Sequence, residues 1–327
     1  MKNQIINEIQ QKMLPYLNNE QLLHLKAVLE ASFQGVIIEM GKEQPKVDEQ
    51  DSVAAFITAK RIEGCSEKTL AYYSKTIAAM LNGVGKSPQQ ITTDDLRKYL
   101  TDYQTQRRSS KVTIDNIRRI LSSFFSWLED EDFIVKSPVR RIHKVKTAKI
   151  IKETYTDEAL ELMRDNCSTV RDLAIIDLLA SSGMRVGELV TLNREDINFN
   201  ERECVVFGKG NKERLAYFDA RTKIHLQNYL DERVDNNPAL FVTLKEPHER
   251  LMIGGVETML RELGRRLKLN KVHPHKFRRT LATSAIDKGM PIEQVQQLLG
   301  HQKIDTTMHY AMVKQQNVKL AHRKFIG

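Results

Sequence analysis

Apolar positions recur along this chain with two different periods, and the change of period divides it. In the first 40 residues Ile5, Ile9, Met13 and Leu17, then Leu22, Leu25 and Leu29, fall three to five residues apart. That spacing predicts two short amphipathic helices broken near Pro15. A polar stretch from Gly41 to Gln50 follows. Residues 51–134 predict four further helices, the first over Asp51 to Ile62. Ser66 caps a second that runs to about Asn82, with Leu70, Tyr73, Ile77 and Met80 on one face. Thr93 caps a third through Leu96, Leu100 and Tyr103, and Lys111 to Asp130 forms a fourth that buries Ile114, Ile117, Leu121, Phe124 and Trp127. The aromatic run Phe124, Phe125, Trp127 reads as core.

Past a break at Ser137-Pro138, Thr156 starts a helix and an apolar helix follows over Asp172 to Ser181. The period then shortens. Cys204 to Phe207 and Leu215 to Phe218 read as strands joined by a turn around Gly208 to Lys212, a hairpin signal. From Gly255 onward the pattern is helical again. The expectation is a mainly α protein with a small β-sheet, without internal repeats.

Length and composition narrow this. At 327 residues the chain is expected to form two domains plus an appendage. With 41% hydrophobic and 28% charged residues, a disordered, collagenous or membrane-spanning chain is excluded. No run of roughly 18 apolar residues occurs, and the opening Met1, Lys2, Asn3, Gln4 lacks the apolar core of a signal peptide, so a cytoplasmic protein with no membrane association is expected. Cys65, Cys167 and Cys204 are too scattered for a disulfide framework or a metal cluster.

The net charge of +9 is unevenly spread. Residues 1–49 hold 5 basic and 7 acidic side chains, residues 50–150 hold 18 and 11, and residues 151–327 hold 28 and 24. Lys136 to Lys152 carries seven basic residues (Lys136, Arg140, Arg141, Lys144, Lys146, Lys149, Lys152) and no acidic one. It reads either as a solvated tether or as a strap on a phosphate backbone. The N-terminal pair of helices has no positive excess, so it reads as a packing or protein-contact module, or as plain structural padding, rather than a nucleic-acid arm.

Candidate chemistry lies in four blocks of the second half. In Ser181-Ser182-Gly183-Met184-Arg185-Val186-Gly187-Glu188-Leu189, a glycine after an apolar helix permits a sharp turn, and Arg185 and Glu188 share a helical face. The hairpin turn carries Lys209 between glycines, without the sequence of a nucleotide phosphate loop. His273-Pro274-His275-Lys276-Phe277-Arg278-Arg279 puts His275 and Arg278 on one face, and Leu298-Leu299-Gly300-His301 is followed nine residues later by Tyr310. Neither histidine group has metal-ligand spacing. Together they supply two arginines, a lysine, two histidines and a tyrosine. Paired guanidinium donors neutralise the oxygens of a phosphate in its transition state. A phenol of ordinary pKa about 10 becomes a nucleophile near neutrality only beside a proton acceptor and cations. The chemistry using both is phosphoryl transfer to a phenolic oxygen.

The blocks SSGMRVGEL, GKGNKER, HPHKFRRT and LLGH with Tyr310 resemble the signature of the tyrosine recombinase, or phage integrase, family, in order and spacing. The resemblance runs from about residue 51, since the four-helix segment is similar to that family's SAM-like core-binding domain. It implies a helical N-terminal extension and linker over 1–50, a DNA-binding domain over 51–136, a basic interdomain linker over 137–153, and a catalytic domain with a C-terminal tail over 154–327. Arg185 and Arg278 would clamp the scissile phosphate, with Glu188 holding Arg185. Lys209 would protonate the leaving 5′ oxygen, His275 would accept the tyrosine proton, His301 would hydrogen-bond the phosphate, and Tyr310 would attack. His309, beside the nucleophile, reads either as a packing residue or as a group that perturbs the phenol, with packing favoured. No metal, ATP or other cofactor is implied. The partners implied are double-stranded DNA recombination sites and three further copies in a tetramer, joined through the amphipathic tail (Val313, Val318, Leu320, Phe325, Ile326). Strands would exchange through a Holliday junction, for integration, excision, inversion or resolution. Lys75, Arg118, Arg119, Arg140, Arg141, Lys144, Lys146 and Arg250 are expected DNA contacts. Rival readings are a catalytically silent DNA-binding protein, a type IB topoisomerase-like relaxing enzyme and a metal-dependent nuclease.

Overall fold

The computed structural model describes residues 2–36, 49–146, 153–208, 213–308 and 310. The chain forms two compact units that divide between Ala148 and Lys149.

In the first unit α1 (Lys2–Met13) packs on α2 (Asn19–Ser32), and Asn18 closes a capping box with Gln21. Among the described side chains of this pair only Ile6 and Leu22 are buried. The expected stripe of Ile5, Ile9, Met13, Leu17, Leu25 and Leu29 is half-buried, flanking the contact rather than forming its centre. The four expected helices follow as α3 (Glu49–Ile62), α4 (Glu67–Val84), α5 (Thr93–Arg107) and α6 (Lys111–Asp130). Ser66 and Ser110 cap α4 and α6, but α5 is capped by Thr92, not Thr93, because Asp95 lies three residues beyond Thr92 and completes the capping box. Phe56, Ile77, Met80, Leu96, Leu121, Phe124, Phe125 and Leu128 form the core, with Phe124 edge-on to Phe56 at a ring-centre distance of 5.3 Å. Trp127, expected to be buried, is half-buried at its margin.

The stretch expected to begin the linker stays on this unit as far as Lys146. Ser137 donates its N–H to Glu129 Oε2 at 3.1 Å, and Pro138–Arg141 forms a 3-10 turn that buries Val139. Thr93 Oγ1 donates to the Pro138 carbonyl at 2.8 Å, and Val145 N–H to Asp115 Oδ1 at 3.0 Å. Val139, Ile142 and Val145 recur at three-residue spacing among the charges and dock the segment on the helices. Residues 147–152, with Lys149 and Lys152, lie outside the described residues.

The second unit begins with α7 (Asp157–Asp165), capped by Thr156, and α8 (Val170–Ser182), capped by Thr169. Ala174, Ile175, Ile176, Leu178 and Leu179 of α8 are all fully buried, so this helix is apolar nearly all round and forms the centre of the unit. Its one buried acid, Asp177, is paired with Arg164 at 2.5 Å and with His225. After α9 (Val186–Thr191) comes a three-stranded antiparallel sheet in the order β1 (Ile197–Asn198), β2 (Glu203–Phe207), β3 (Glu213–Tyr217). Cys204 faces Ala216 and Val205 faces Leu215 across the hairpin, with Cys204, Val206 and Ala216 pointing inward. Then follow α10 (Ala220–Asp231), α11 (Ile253–Arg266), α12 (Pro274–Asp287), α13 (Ile292–Leu299) and α14 (Ile304–Met308). The sequence pattern did not single out β1, too short to alternate, or α10. Among the described residues no helix is long and apolar enough to cross a membrane.

Candidate active site

Two glycines shape the site. Gly183 ends α8 and Gly300 ends α13, each in the left-handed conformation, with φ of 59° and 62°. That conformation closes a helix while leaving its last carbonyls facing outward. Arg278, on α12, bridges these two helix ends. Its Nη1 donates to the Gly183 carbonyl at 2.7 Å and its Nη2 to the Leu299 carbonyl. The guanidinium is only 1% exposed and pairs with no carboxylate among the described residues. The partial negative charge of two helix C-termini holds it instead. Burial first, then Arg185 and Arg214, lower its pKa to about 10, so it remains a cation at neutral pH.

Arg185 stands at the N-terminus of α9. Its backbone N–H and its Nη1 both donate to Glu188, at 2.8 and 2.7 Å, while its side chain stays 37% exposed to the cleft. Glu188 is buried. Burial alone would raise its carboxyl, but the Arg185 N–H and the Arg214 charge outweigh it and hold the carboxyl below the usual range. Arg214, on β3, donates to Glu188 Oε2 at 2.7 Å and to the Leu298 carbonyl at 2.9 Å.

The start of α12 is pinned from behind. The His273 N–H donates to Tyr155 Oη at 3.1 Å, Lys276 lies over the Tyr155 ring, and Tyr155 N–H donates to Thr280 Oγ1 at 2.9 Å. Burial pushes the Tyr155 phenol up to about 12, making it a neutral strut. His275, one residue beyond Pro274, is exposed and lines a cleft of about 590 Å³ together with Arg185, Glu188, Phe207, Glu257 and His273.

His301 follows Gly300 directly. Its Nδ1 lies 2.9 Å from Thr307 Oγ1, and its ring stacks on Tyr310 with centres 5.9 Å apart. Burial first, then Arg278, Arg185, Arg214 and His275, lower its pKa to about 4, so the imidazole is neutral at pH 7. Tyr310 is half-buried against Ala282, Val295 and Leu299, and its N–H donates to the Thr307 carbonyl at 2.9 Å. Arg185, Glu188, His275, Arg278, His301 and Tyr310 thus gather in one unit, each within electrostatic reach of others in the set. Lys209, His309 and the tail after Tyr310 lie outside the described residues. Arg214 was not picked out from sequence. It sits inside the GKGNKER block, and its place at an inward-leaning position beside the strand's buried Ala216 was the available signal.

The expected DNA contacts separate by environment. Lys75, Arg119, Arg141, Lys144 and Lys146 are exposed, as is Arg140, 3.4 Å from Glu129. Arg118 is held by Asp115 at 2.9 Å and mostly buried. Arg250 departs from the expectation: its Nη1 donates to the Val190 and Leu192 carbonyls, both at 2.9 Å, and its Nη2 to Asn193. Those bonds close the α9 exit and turn its guanidinium inward.

A sequence profile of the phage integrase family matches residues 149–317, and one of the phage integrase N-terminal SAM-like domain matches residues 53–134. Tyrosine recombinase XerC of Leptospira interrogans is 32% identical over 291 residues, 84% of this chain and 92% of that protein. XerC of Oceanobacillus iheyensis is 32% identical over 292 residues, 83% and 94% of the two chains. Among solved structures, the XerH site-specific recombinase bound to palindromic difH substrate, a post-cleavage complex, superposes with a TM-score of 0.68 at 19% identity, covering 97% of this chain and 93% of that one. A lambda integrase dimer bound to a COC′ core site gives 0.66 at 20% identity, covering 80% and 94%. At these identities the two structures establish a shared fold.

Proposed function

The chain belongs to the phage integrase family, and we propose on that premise that it carries out site-specific DNA recombination, with Tyr310 as the nucleophile. The observation that carries the reading is the buried Arg278, held by backbone carbonyls and within electrostatic reach of Tyr310 and of Arg185, whose side chain reaches the cleft. A buried cation without a carboxylate favours an incoming anion, and a phosphodiester is the anion that a tyrosine beside it can attack.

The Tyr310 oxygen forms a bond to phosphorus as the bond to the 5′ oxygen breaks, leaving a 3′-phosphotyrosyl link and a free 5′ hydroxyl. Arg185 and Arg278 hold the nonbridging oxygens as charge builds on them. His275, exposed at the cleft, takes the phenolic proton, and Lys209 returns one to the leaving oxygen. Because His301 is neutral, it serves as a hydrogen-bond donor and not as a cation. With the Thr307 hydroxyl, 2.9 Å away, as donor to Nδ1, the ring proton would sit on Nε2, the tautomer that can face a phosphate oxygen. Attack by a partner strand's 5′ hydroxyl reverses the step. The ester stores the bond energy, so the cycle needs neither ATP nor metal. Four copies on two DNA sites, joined through the tail after Tyr310, would pass through a Holliday junction in the cytoplasm.

Selection from a randomised duplex library identifies the DNA site. On a nicked duplex carrying it, the full chain is expected to form a gel-stable covalent adduct in EDTA without nucleotide, and Tyr310→Phe none. An adduct that persists in Tyr310→Phe, or one that requires a metal, refutes the assignment.

A further inference from the structure

Arg214 joins two parts of the site that the sequence keeps 110 residues apart, Glu188 and Leu298. Its side chain is only 10% exposed. One end of its fork meets the carboxylate that orients Arg185; the other meets a carbonyl in the turn of α13 that precedes His301. The shaft between them lies against Gly300, where an added Cβ would come within 2.5 Å of Arg214 Cδ. The Nε is buried and has no partner among the described residues. Its orientation is therefore set by the Nη contacts, to Glu188, to Leu298 and, at 3.4 Å, to the carbonyl of its own neighbour Leu215, at the expense of one donor.

We propose that Arg214 is a positioning residue for strand cleavage: it locks the Glu188 carboxylate to the turn carrying His301, so that the Arg185 and Arg278 sides of the phosphate site keep one geometry. The proposal rests on the reading of the cleft as the place of phosphodiester cleavage. Lysine is a poor replacement, because one compact ammonium lacks the divergent donors that span a carboxylate and a carbonyl. The Arg214 charge also acts on both neighbours, lowering the pKa of Arg278 and of His301.

The test compares full-length wild type, Arg214→Gln and Arg214→Lys on the selected nicked duplex. DNA affinity is expected to stay within about twofold, since Arg214 is turned away from solvent, while single-turnover adduct formation falls roughly a hundredfold in Arg214→Gln, the scale of one lost preorganised donor. Arg214→Lys, which retains the charge, is expected to recover part of that loss and serves as the folded variant if glutamine disrupts the unit. The His301 ring, followed by NMR, should titrate higher in Arg214→Gln than in wild type, since the Arg214 charge is one of the causes that lower its pKa. Adduct formation at the wild-type rate per folded molecule, or an unmoved His301 titration, overturns the positioning role. A wild type that forms no adduct refutes the functional reading instead, while the His301 titration still decides whether Arg214 couples the two sides.

Discussion

Glu188→Gln isolates the contribution of one buried carboxylate. Glu188 accepts from the Arg185 N–H, from Arg185 Nη1 and from Arg214 Nη2, all within 2.8 Å. The amide keeps one oxygen and turns its NH₂ toward a guanidinium, donor against donor. The bond from Arg185 Nη1 is lost, about 1.5–3 kcal/mol, and the two on the remaining oxygen weaken because the acceptor is no longer charged. The lower cost of burying an uncharged group offsets part of this. The expected net loss is about 2 kcal/mol, or roughly 4–8 °C in the melting of a unit of this size.

The assay can separate the two units. The single tryptophan, Trp127, lies in the first unit, so its fluorescence follows that unit alone. Circular dichroism and hydrogen exchange in α9 follow the second. The Glu188→Gln transition should move in the latter and stay put in the former. The pH dependence has a definite sign. The folded carboxyl titrates below its ordinary value of 4.5, so its stabilisation is present above that pH and is lost as pH falls through the folded value. The gap between wild type and variant should be full at pH 7 and close below about pH 4.5. A gap that persists in acid, or a tryptophan transition that shifts equally, refutes the assignment of the effect to this carboxylate.

Gly300→Ala should lose about 1–2 kcal/mol from its left-handed backbone and should also displace Arg214, so adduct formation per folded molecule falls while DNA affinity holds. Phe124→Ala, in the fully buried ring cluster with Phe56 and Phe125, should lose about 3–5 kcal/mol in the tryptophan transition and leave the second unit's melting unchanged. His301 is neutral in the folded state and titrates near 4, so it favours the fold above the ordinary histidine pKa of 6.5 and loses that contribution as pH falls toward 4; His301→Gln should flatten this part of a pH–stability curve. Neutralising Arg141, Lys144 and Lys146 should reduce the salt dependence of DNA binding, with a slope change of about 0.9 per phosphate contact removed; an unchanged slope would mean that these cations do not meet DNA.

The helices were legible in the sequence wherever one face is apolar and a cap is present. Ser66 and Thr156 mark starts by their side-chain bonds to the third residue on, a local chemistry that needs no tertiary context. The docking of residues 137–146 on the first unit was hidden for the opposite reason. The charges of this segment hid Val139, Ile142 and Val145, three apolar residues at a spacing that docks a short segment without a regular helix. Once docked, the exposed Arg140, Arg141, Lys144 and Lys146 are carried by the helical unit itself. A cation fixed in place loses less conformational entropy on meeting a phosphate than one on a free tether.

The candidate site was legible as residue types but not as a mechanism for holding them. Arg185, His275, Arg278, His301 and Tyr310 stand out because cations, imidazoles and a phenol in short blocks are chemically conspicuous. What keeps them in place is the backbone at Gly183 and Gly300, whose left-handed caps turn helix-end carbonyls onto Arg278. The glycines were visible, but which carbonyls they free is decided by the packing of α8, α12 and α13. Arg214 was less legible still, since on a strand it is one more charged residue in a basic hairpin. Its role emerges only when β3 is laid against α13 and the neighbouring β2 against α9, where a single planar group reaches a carboxylate on one side and a carbonyl on the other. The preorganisation of this site therefore resides in contacts between blocks, and a reading of each block alone gives the candidate groups without the geometry that holds them.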